Sequence, residues 1–328
     1  MLVITGAAGF IGSNLVADLE AIGRGPITVC DWFGTNNKWR NLAKRNIAAF
    51  VRPEEIIAFL DANAAEVKAV IHMGAISSTT AQDVDELVTW NIRSSVSLWD
   101  WCSAHAVPFI YASSAAVYGA EENSFSDDDD PSVVAGLRPL NAYGWSKKVV
   151  DEIFANRTVK QNRVPPQWVG LRFFNVYGPN EYHKDAMKSV VLKLFDAIQQ
   201  GKRIQLFKSH REDVADGEQR RDFIYVKDCT KAICWFLDHP NVNGIFNLGT
   251  GTSRSFIDIT TQLDRVLKRN LNVEFIDIPT EIREKYQYFT QAEMTKARDV
   301  GMAFAFTTLD EGVADYVQRY LLQEDRYR

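Results

Sequence analysis

The chain has 328 residues, 46% of them hydrophobic and 24% charged, which is typical of an ordinary globular protein and excludes a disordered or fibrous chain. Its formal net charge of −5 disfavours a nucleic-acid or membrane partner, because such polyanionic surfaces attract basic proteins. The four cysteines (Cys30, Cys102, Cys229 and Cys234) form no CxxC pair and are predicted to be free thiols, with no metal site. Because it shows neither a signal peptide nor an apolar run of transmembrane length, the chain is expected in the cytoplasm.

The first half of the chain alternates short apolar runs with helical patterns. This alternation, with fully apolar strands, is typical of a parallel sheet that helices cover on both faces. A long helix is expected over residues 84–105. The predicted strands are Leu2–Thr5, Ile27–Asp31, Val67–His72, Val107–Ala112 and Gln167–Phe173. The predicted fold class is therefore α/β, with a Rossmann-type doubly wound parallel sheet.

The second half of the chain mixes helices with short strands. We expect a dinucleotide-binding domain at residues 1–174, to which residues 222–250 return, and a smaller mixed α/β substrate-binding lobe at residues 175–328. The elements predicted for this part are the helices Ala186–Gln200 and Phe256–Arg269 and the strands Ile204–Phe207, Phe223–Val226 and Val273–Ile278. Two charged stretches, Asp127–Asp130 and Ser209–Gln219, are interpreted as surface loops without a function of their own.

A glycine-rich segment directly follows the first predicted strand and opens a helical pattern. It places Gly6, Gly9 and Gly12 where the backbone has to turn tightly and approach a pyrophosphate, whose charge the amides at a helix start then hold. Asp31 ends the next strand, 19 residues after Gly12, where a carboxylate accepts hydrogen bonds from ribose hydroxyls. Position and spacing together predict a dinucleotide site.

The residues after the second strand bear on the type of dinucleotide. Asp31 favours NAD, because a carboxylate repels the 2′-phosphate of NADP. Lys38 and Arg40 lie just downstream and can neutralise that phosphate, although solvated loop charges fit their spacing equally well. The residues alone therefore leave both NADP and NAD open.

Tyr143 and Lys147 form a Tyr-x-x-x-Lys motif. Residues four apart share one face of a helix. A tyrosine has a pKa near 10, and a neighbouring ammonium is expected to lower it by roughly one to three units, so that the phenol can transfer protons. Ser114 ends a strand of the same predicted sheet and can hydrogen-bond the reacting oxygen, the alternative being a serine that caps a helix.

These motifs, in this order, resemble the extended short-chain dehydrogenase/reductase family, which includes nucleotide-sugar epimerases and dehydratases. The resemblance implies that Ser114 and Tyr143 flank a substrate hydroxyl and that Asn175 begins the substrate lobe. It also implies a nucleotide-sugar substrate, and we expect a homo-oligomer. The matching segments are Thr5–Gly12, Ser113–Gly119, Tyr143–Lys147 and Arg172–Pro179.

A narrower resemblance runs nearly end to end and points to the subgroup that inverts C6 of an ADP-activated heptose for the lipopolysaccharide core. It implies that NADP removes hydride from C6 and returns it to the other face of a ketone, with Tyr143 and Lys184 as the two bases. The chain departs from the subgroup pattern at Arg52, Met73 and Ala186. The segments that carry the resemblance are Ser77–Thr80, His183-Lys184, Arg221–Phe223, Phe246–Gly251 and Tyr286–Ala292.

The same resemblance implies a set of site residues. The catalytic residues are Ser114, Tyr143, Lys147 and Lys184. The cofactor contacts are Gly6, Gly9, Phe10, Ile11, Gly12, Asp31, Trp32, Lys38, Met73, Gly74, Ala75, Ile76, Ser77, Asn91, Lys147, Val176 and Lys184. The substrate contacts are Ser114, Asn175, Lys193, Phe207, Arg221 and Tyr286. For Arg221 the chemistry agrees, because a guanidinium fork suits a diphosphate.

Three alternative functions remain. An epimerase acting at C4 of a UDP-hexose would use Tyr143 without needing Lys184. A 4,6-dehydratase is disfavoured, because Ala115 and Ala116 follow Ser114 where that subgroup usually has acidic residues. A non-catalytic dinucleotide-binding regulator is disfavoured because the chain keeps both the tyrosine and the lysine.

Overall fold

The structure, a computed structural model, describes residues 1–120, 124–160, 163–283 and 286–328, without the side chains of residues 281 and 282. Within these ranges a sheet of seven parallel strands has the order β10-β6-β5-β4-β1-β2-β3. Its strands are β1 (Leu2–Thr5), β2 (Ile27–Cys30), β3 (Ala49–Val51), β4 (Ala69–His72), β5 (Phe109–Ser114), β6 (Trp168–Phe173) and β10 (Gly244–Leu248).

Alternate residues of each central strand enter two separate hydrophobic cores. Ile4 and Ile110 belong to the core on one face, whereas Val3 and Phe109 belong to the core on the other. Because both faces are covered, neither set of alternating positions can be polar, and the strands are continuous apolar runs. The predicted doubly wound α/β fold is confirmed.

Helices cover both faces of this sheet. Helix α1 packs on α8 over one face, and α4 and α6 contribute Trp99 and Phe154 to the core of the other. The helices up to residue 238 are α1 (Phe10–Ala21), α2 (Ile56–Ala62), α3 (Val84–Leu87), α4 (Ser94–Ala104), α5 (Pro131–Gly136), α6 (Ala142–Val159), α7 (Val190–Gln199) and α8 (Val226–Asp238). No helix of the described ranges is long and apolar enough to cross a membrane.

Most of the remaining elements form a smaller lobe with a third hydrophobic core. Its sheets have the orders β11-β9-β7 and β12-β8, and the strands are β7 (Asn175–Tyr177), β8 (Ile204–Phe207), β9 (Arg220–Tyr225), β11 (Ser253–Ser255) and β12 (Val273–Ile276). Its further helices are α9 (Phe256–Leu267), α10 (Thr280–Arg283) and α12 (Leu309–Tyr316). Helix α11 (Thr295–Asp299) packs on β10 instead and contributes Ala297 to the core of the first domain. Helices α7, α9 and α12 pack their apolar faces into this core.

The segment 222–250 divides between the two parts of the molecule. Strand β10 pairs with β6 in the main sheet and α8 packs on α1, whereas β9 lies in the small sheet. The division of the chain at residue 174 remains a prediction, and within the segment 222–250 the part that packs on the first domain starts after β9. Most predicted strands differ from the observed ones by a few residues at their ends, but β3, β7, β10 and β11 were not predicted as strands. Three of these, β3, β7 and β11, are only three residues long, and β3 exposes Phe50. The expected long helix is interrupted by a π-helical turn at Val88–Arg93.

The interpretation of Asp127–Asp130 as a solvated loop without a role is wrong. Asp127 is buried, and its carboxylate accepts a hydrogen bond from the Asn247 amide at 2.8 Å. Asp129 accepts from the Ile245 amide at 3.0 Å and from Lys296 Nζ at 2.9 Å. Strand β10 is the edge of the main sheet, so its outward amides lack a neighbouring strand, and these two carboxylates satisfy them. The other charged stretch, Ser209–Gln219, is exposed at residues 210–213, as a surface loop requires.

A buried ion pair joins α6 to the centre of the sheet. Asp151 and Arg172 are both fully buried, with Arg172 Nε 2.9 Å from the Asp151 carboxylate. Asp151 also accepts hydrogen bonds from the hydroxyls of Tyr111 at 3.0 Å and Ser113 at 2.9 Å. The pair therefore holds α6, which carries Tyr143 and Lys147, against strands β5 and β6.

We expect Asp151→Ala to lower the free energy of unfolding by about 3–5 kcal/mol, because it leaves the Arg172 charge buried without a partner. The neighbouring Glu152 provides a matched control, since its ion pair with Lys148 is near the surface. Glu152→Ala should cost less than about 1 kcal/mol. Urea denaturation measures both, and equal losses would contradict a structural role for the buried pair.

Candidate active site

A cleft of about 1070 Å³ opens at the carboxyl ends of the parallel strands and extends to the smaller lobe. In open α/β sheets, ligands bind at this edge. The residues predicted from the sequence that line it are Gly6, Gly9, Phe10, Ile11, Gly12, Asp31, Trp32, Lys38, Met73, Gly74, Ala75, Ile76, Ser77, Ser114, Tyr143, Lys147, Asn175, Val176, Lys184, Lys193, Arg221 and Tyr286.

Two predicted residues lie behind the wall of the cleft. Asn91, on the π-helical turn, is fully buried and bonds through its side chain to the amide and carbonyl of Ile76 at 2.8 and 3.0 Å. Phe207 packs edge-on against Tyr286, with ring centroids 5.8 Å apart. Both support residues that line the cleft, so their influence on a ligand is indirect.

The glycine-rich segment has no room for side chains. A Cβ on Gly6, whose φ is +63°, would lie 2.5 Å from the Gly74 amide nitrogen, and one on Gly12 would lie 2.2 Å from the Gly6 carbonyl oxygen. Helix α1 begins after Gly9 without any side chain capping its first amides. A bare helix start beside a glycine turn binds a pyrophosphate, so these residues fit a dinucleotide.

Asp31 connects the glycine segment to Lys38. One carboxylate oxygen of Asp31 accepts from the Ala8 amide at 2.8 Å, and the other accepts from Lys38 Nζ at 2.6 Å. Lys38 therefore offsets the negative charge that would repel a 2′-phosphate. Arg40 does not line the cleft and stacks on the rings of Trp39 and Tyr327 instead.

Tyr143 and Lys147 lie one turn apart on α6, beside Ser114 at the end of β5. Burial raises the pKa of Tyr143, and a hydrogen bond with Ser114 lowers it by less. The predicted lowering of this pKa by Lys147 is therefore wrong. The reason is that burial of the phenol outweighs the effect of its partners. Lys147 Nζ donates to the Ala112 carbonyl at 2.8 Å, and burial lowers the pKa of Lys147 itself to about 8. Ser114 also caps the short turn that follows β5, so both interpretations of this serine hold.

Lys184 reaches the cleft from the opposite lobe. It lies in the segment that connects β7 to α7, and its ammonium stands 5.3 Å from the ring centroid of Phe10 at the start of α1. Burial lowers the pKa of Lys184, which is the direction expected from the sequence, and the positive charge of Lys193 lowers it further, whereas Glu181 raises it. Such an amine exchanges protons more readily than an exposed lysine does.

Arg221 occupies the substrate side of the cleft. Its guanidinium is 5.4 Å from the ring centroid of Tyr286 and donates to the backbone carbonyl of Gln287. Asn175, the first residue of β7, is exposed at the same cleft. A guanidinium, an amide and aromatic rings form a surface suited to a diphosphate and a planar base.

His183 and Trp90 were not predicted as contacts, although both line the cleft. The amide nitrogen of Asn41 lies 3.2 Å from His183 Nδ1, 2.8 Å from the Ala8 carbonyl and 3.0 Å from the Asn180 carbonyl. Trp90 packs edge-on against Trp32 with ring centroids 4.4 Å apart. Only the position of His183 beside Lys184 gave a sequence signal, since nothing in the pattern around Trp90 distinguishes it from a core residue.

Comparison with known proteins agrees with this geometry. Residues 2–249 match the model of the NAD dependent epimerase/dehydratase family. The chain belongs to that family of enzymes, whose members bind a nicotinamide dinucleotide.

Within the family, the chain is similar to proteins named ADP-L-glycero-D-manno-heptose-6-epimerase. It is 44% identical to the one from Nitratidesulfovibrio vulgaris, over 99% of each chain, and 41% identical to the one from Fusobacterium nucleatum, over 100% of each. The solved structure of the Helicobacter pylori protein of that name superposes with a TM-score of 0.80 at 27% identity, covering 97% of this chain and 95% of that one.

The stability of the protein should depend on pH through His183, which lines the cleft. Burial lowers the pKa of His183 to about 4, and the charges of Lys38 and Lys184 act in the same direction. As the pH falls below about 6.5, the unfolded His183 binds a proton that the folded one does not, so the free energy of unfolding decreases. Urea denaturation should show that His183→Gln loses about 2 kcal/mol less than the wild type between about pH 7 and pH 5. His105→Gln, at an exposed histidine, should behave like the wild type. An unchanged slope in His183→Gln would contradict the prediction.

Proposed function

We propose that this protein converts ADP-D-glycero-D-manno-heptose to ADP-L-glycero-D-manno-heptose by inverting C6, with tightly bound NADP. The observation that carries the proposal is the presence of two proton-transfer groups, Tyr143 and Lys184, on walls of one cleft that belong to different lobes. The names of the full-length relatives support the same reaction.

The first domain supplies the groups that would hold the cofactor. The amides at the start of α1 suit its pyrophosphate, Lys147 suits the nicotinamide ribose, and Lys38 suits a 2′-phosphate. When bound, the dinucleotide accepts hydride from a carbon bearing a hydroxyl and returns it to the resulting ketone. The pairing of Lys38 with Asp31 is what favours NADP, because an unpaired carboxylate would repel the additional phosphate.

Inversion at C6 requires proton transfer to and from the oxygen on C6 in two orientations of the sugar. Tyr143 is fixed on α6 and held by Ser114, so it reaches the oxygen in one orientation only. Lys184 approaches from the other lobe, and its lowered pKa allows the amine both to donate and to accept a proton. Each residue therefore serves one orientation, as acid when the ketone is reduced and as base when the alcohol is oxidised.

The nucleotide would lie toward the smaller lobe. Arg221 suits the diphosphate through charge-assisted hydrogen bonds, and Tyr286 offers a ring face beside it. Asn175 and Lys193 add polar contacts on the same side. This arrangement anchors the ADP portion and leaves the heptose free to turn between Tyr143 and Lys184.

We expect Lys184→Met to reduce C6 epimerisation by about a hundredfold to ten-thousandfold, because one orientation loses its acid–base group. Lys184 is also a predicted cofactor contact, but most bound nicotinamide should be retained, since the glycine segment and Lys147 are unchanged. Product stereochemistry from ADP-D-glycero-D-manno-heptose and from UDP-hexoses distinguishes this function from a UDP-hexose 4-epimerase. Tyr143→Phe should be similarly impaired, and wild-type epimerisation by Lys184→Met would exclude a two-base mechanism.

Lys38→Ala should weaken the binding of NADP by about 10- to 100-fold and that of NAD much less, because a charge-assisted bond to the 2′-phosphate is lost. Arg40→Ala is the matched control, since Arg40 is a nearby cation outside the cleft. It should leave both affinities unchanged. Calorimetric titration of the apoprotein measures the NADP and NAD affinities of the wild type and of each variant. Equal losses of NADP and NAD affinity in Lys38→Ala would remove Lys38 from cofactor selection.

A further inference from the structure

The segment that carries Lys184 has little regular structure. It runs from Gly178, just after β7, to Ser189, which caps α7, and it contains only a short 3-10 turn at Asp185–Met187. Neither a strand nor a long helix fixes where the Lys184 amine lies. We call this segment the 178–189 loop. Its position is set by hydrogen bonds to residues outside it, such as those of Asn14 and Asn41 to its first residues, and by contacts within the loop itself.

A single carboxylate closes this loop. Glu181 is fully buried, and it accepts hydrogen bonds from the Gly178 amide at 3.3 Å, from the Ser189 hydroxyl at 2.7 Å and from the Ser189 amide. Its own carbonyl accepts from the Lys184 amide at 3.1 Å. The Glu181 side chain therefore joins the first residue of the loop to the last, while its main chain starts the turn that presents Lys184.

A carboxylate suits this place better than any neutral side chain of its size. All three donors point at its oxygens, and a glutamine would turn its NH₂ group toward one of them. Burying a carboxylate without a cation is costly, yet among the ion pairs of the described residues neither Glu181 nor Lys184 appears. Burial raises the pKa of Glu181, and the bonds at both ends of the loop and the charge of Lys184 offset part of that effect. The amine of Lys184 lines the cleft.

The charge of Glu181 also acts on Lys184 at longer range. The groups that face Glu181 are the amines of Lys184 and Lys193 and the phenols of Tyr182 and Tyr316. Burial lowers the pKa of Lys184, and the negative charge of Glu181 offsets part of that effect. Without this charge the amine would lose its proton at a lower pH and would be a weaker acid at neutral pH.

We propose that Glu181 is a positioning residue for Lys184: its carboxylate closes the 178–189 loop and so fixes the amine at the wall of the cleft. The proposal rests on the proposed role of Lys184 as the second acid–base group. Glu181 itself does not line the cleft.

The test compares Glu181→Gln with Asp185→Asn. Asp185 lies in the same loop, is exposed, and loses the same charge in its variant, and asparagine tolerates its left-handed backbone, with φ of +45°. Each folded variant is assayed for kcat and KM with ADP-D-glycero-D-manno-heptose and for bound nicotinamide. The Lys184 amine is then titrated by NMR after reductive ¹³C-methylation, and its resonance is assigned by its absence in Lys184→Met.

In Glu181→Gln we expect kcat to fall about 100-fold with KM and bound nicotinamide nearly unchanged, because the reacting group is displaced but binding is not. The Lys184 resonance should titrate at a lower pH than in the wild type. Asp185→Asn should match the wild type in kcat and in the titration of the Lys184 resonance. If Glu181→Gln does not fold, Glu181→Asp replaces it: this variant keeps the charge but shortens the reach, so kcat should fall while the titration stays close to that of the wild type.

A Glu181 variant with the kcat of the wild type overturns the proposal. A Lys184 resonance that titrates at the same pH in Glu181→Gln as in Asp185→Asn also overturns it. The titration needs no substrate, so it separates this proposal from the proposed function. If the wild type does not epimerise the heptose but the resonance still shifts, the function fails and the positioning role stands. If the wild type is active and the resonance of Glu181→Gln does not shift, the positioning role fails alone; for Glu181→Asp the deciding outcome is an unchanged kcat.

Discussion

The cleft depends on how closely the backbone after β1 approaches the backbone after β4. Gly6 and Gly74 lie so near each other that a single Cβ on Gly6 would overlap the Gly74 amide. This contact brings the start of α1 to the carboxyl edge of the sheet, and Gly12 lets the helix pack on the same turn. A pyrophosphate can then meet bare amides instead of side chains.

The second lobe is fastened to that turn by amide side chains. Asn14 donates to the carbonyls of Phe10 and Pro179, and Asn41 donates to the carbonyls of Ala8 and Asn180. Asn180 in turn donates to the Ser13 hydroxyl at 3.0 Å. These bonds join the glycine segment to the beginning of the 178–189 loop. A group on the loop, Lys184, is therefore placed against Phe10 with little freedom between the lobes.

The two walls of the cleft hold their acid–base groups in different ways. On the first wall, Lys147 and the phenol of Tyr143 are supported by α6, which the pair of Asp151 and Arg172 anchors to the sheet. On the second wall, the buried carboxylate of Glu181 supports the amine of Lys184. Neither group forms an ion pair within the described ranges. One acid–base group is rigid because its helix is rigid. The other is fixed through the closure of a loop, which makes it the part of the site most sensitive to distant substitutions.

The sequence by itself determined the doubly wound sheet, the glycine turn and the Tyr143–Lys147 pair. These features are local: strand periodicity, glycine spacing and a four-residue helical repeat each depend on residues that are neighbours in the chain. Resemblance to known enzymes then added Lys184 and the substrate side of the cleft, which no local pattern distinguishes.

Only the tertiary structure decided which polar groups are buried and what they bond. It showed Asp127 and Asp129 to satisfy an edge strand that is more than a hundred residues away, where the acidic run had suggested a solvated loop. It placed Asn91 behind the wall of the cleft and His183 in it. The fold also raises the pKa of Tyr143, because burial of the phenol outweighs its hydrogen bond with Ser114. That burial depends on every element packed around the phenol. Burial and long-range hydrogen bonds are properties of the assembled fold, and for that reason the sequence could not determine them.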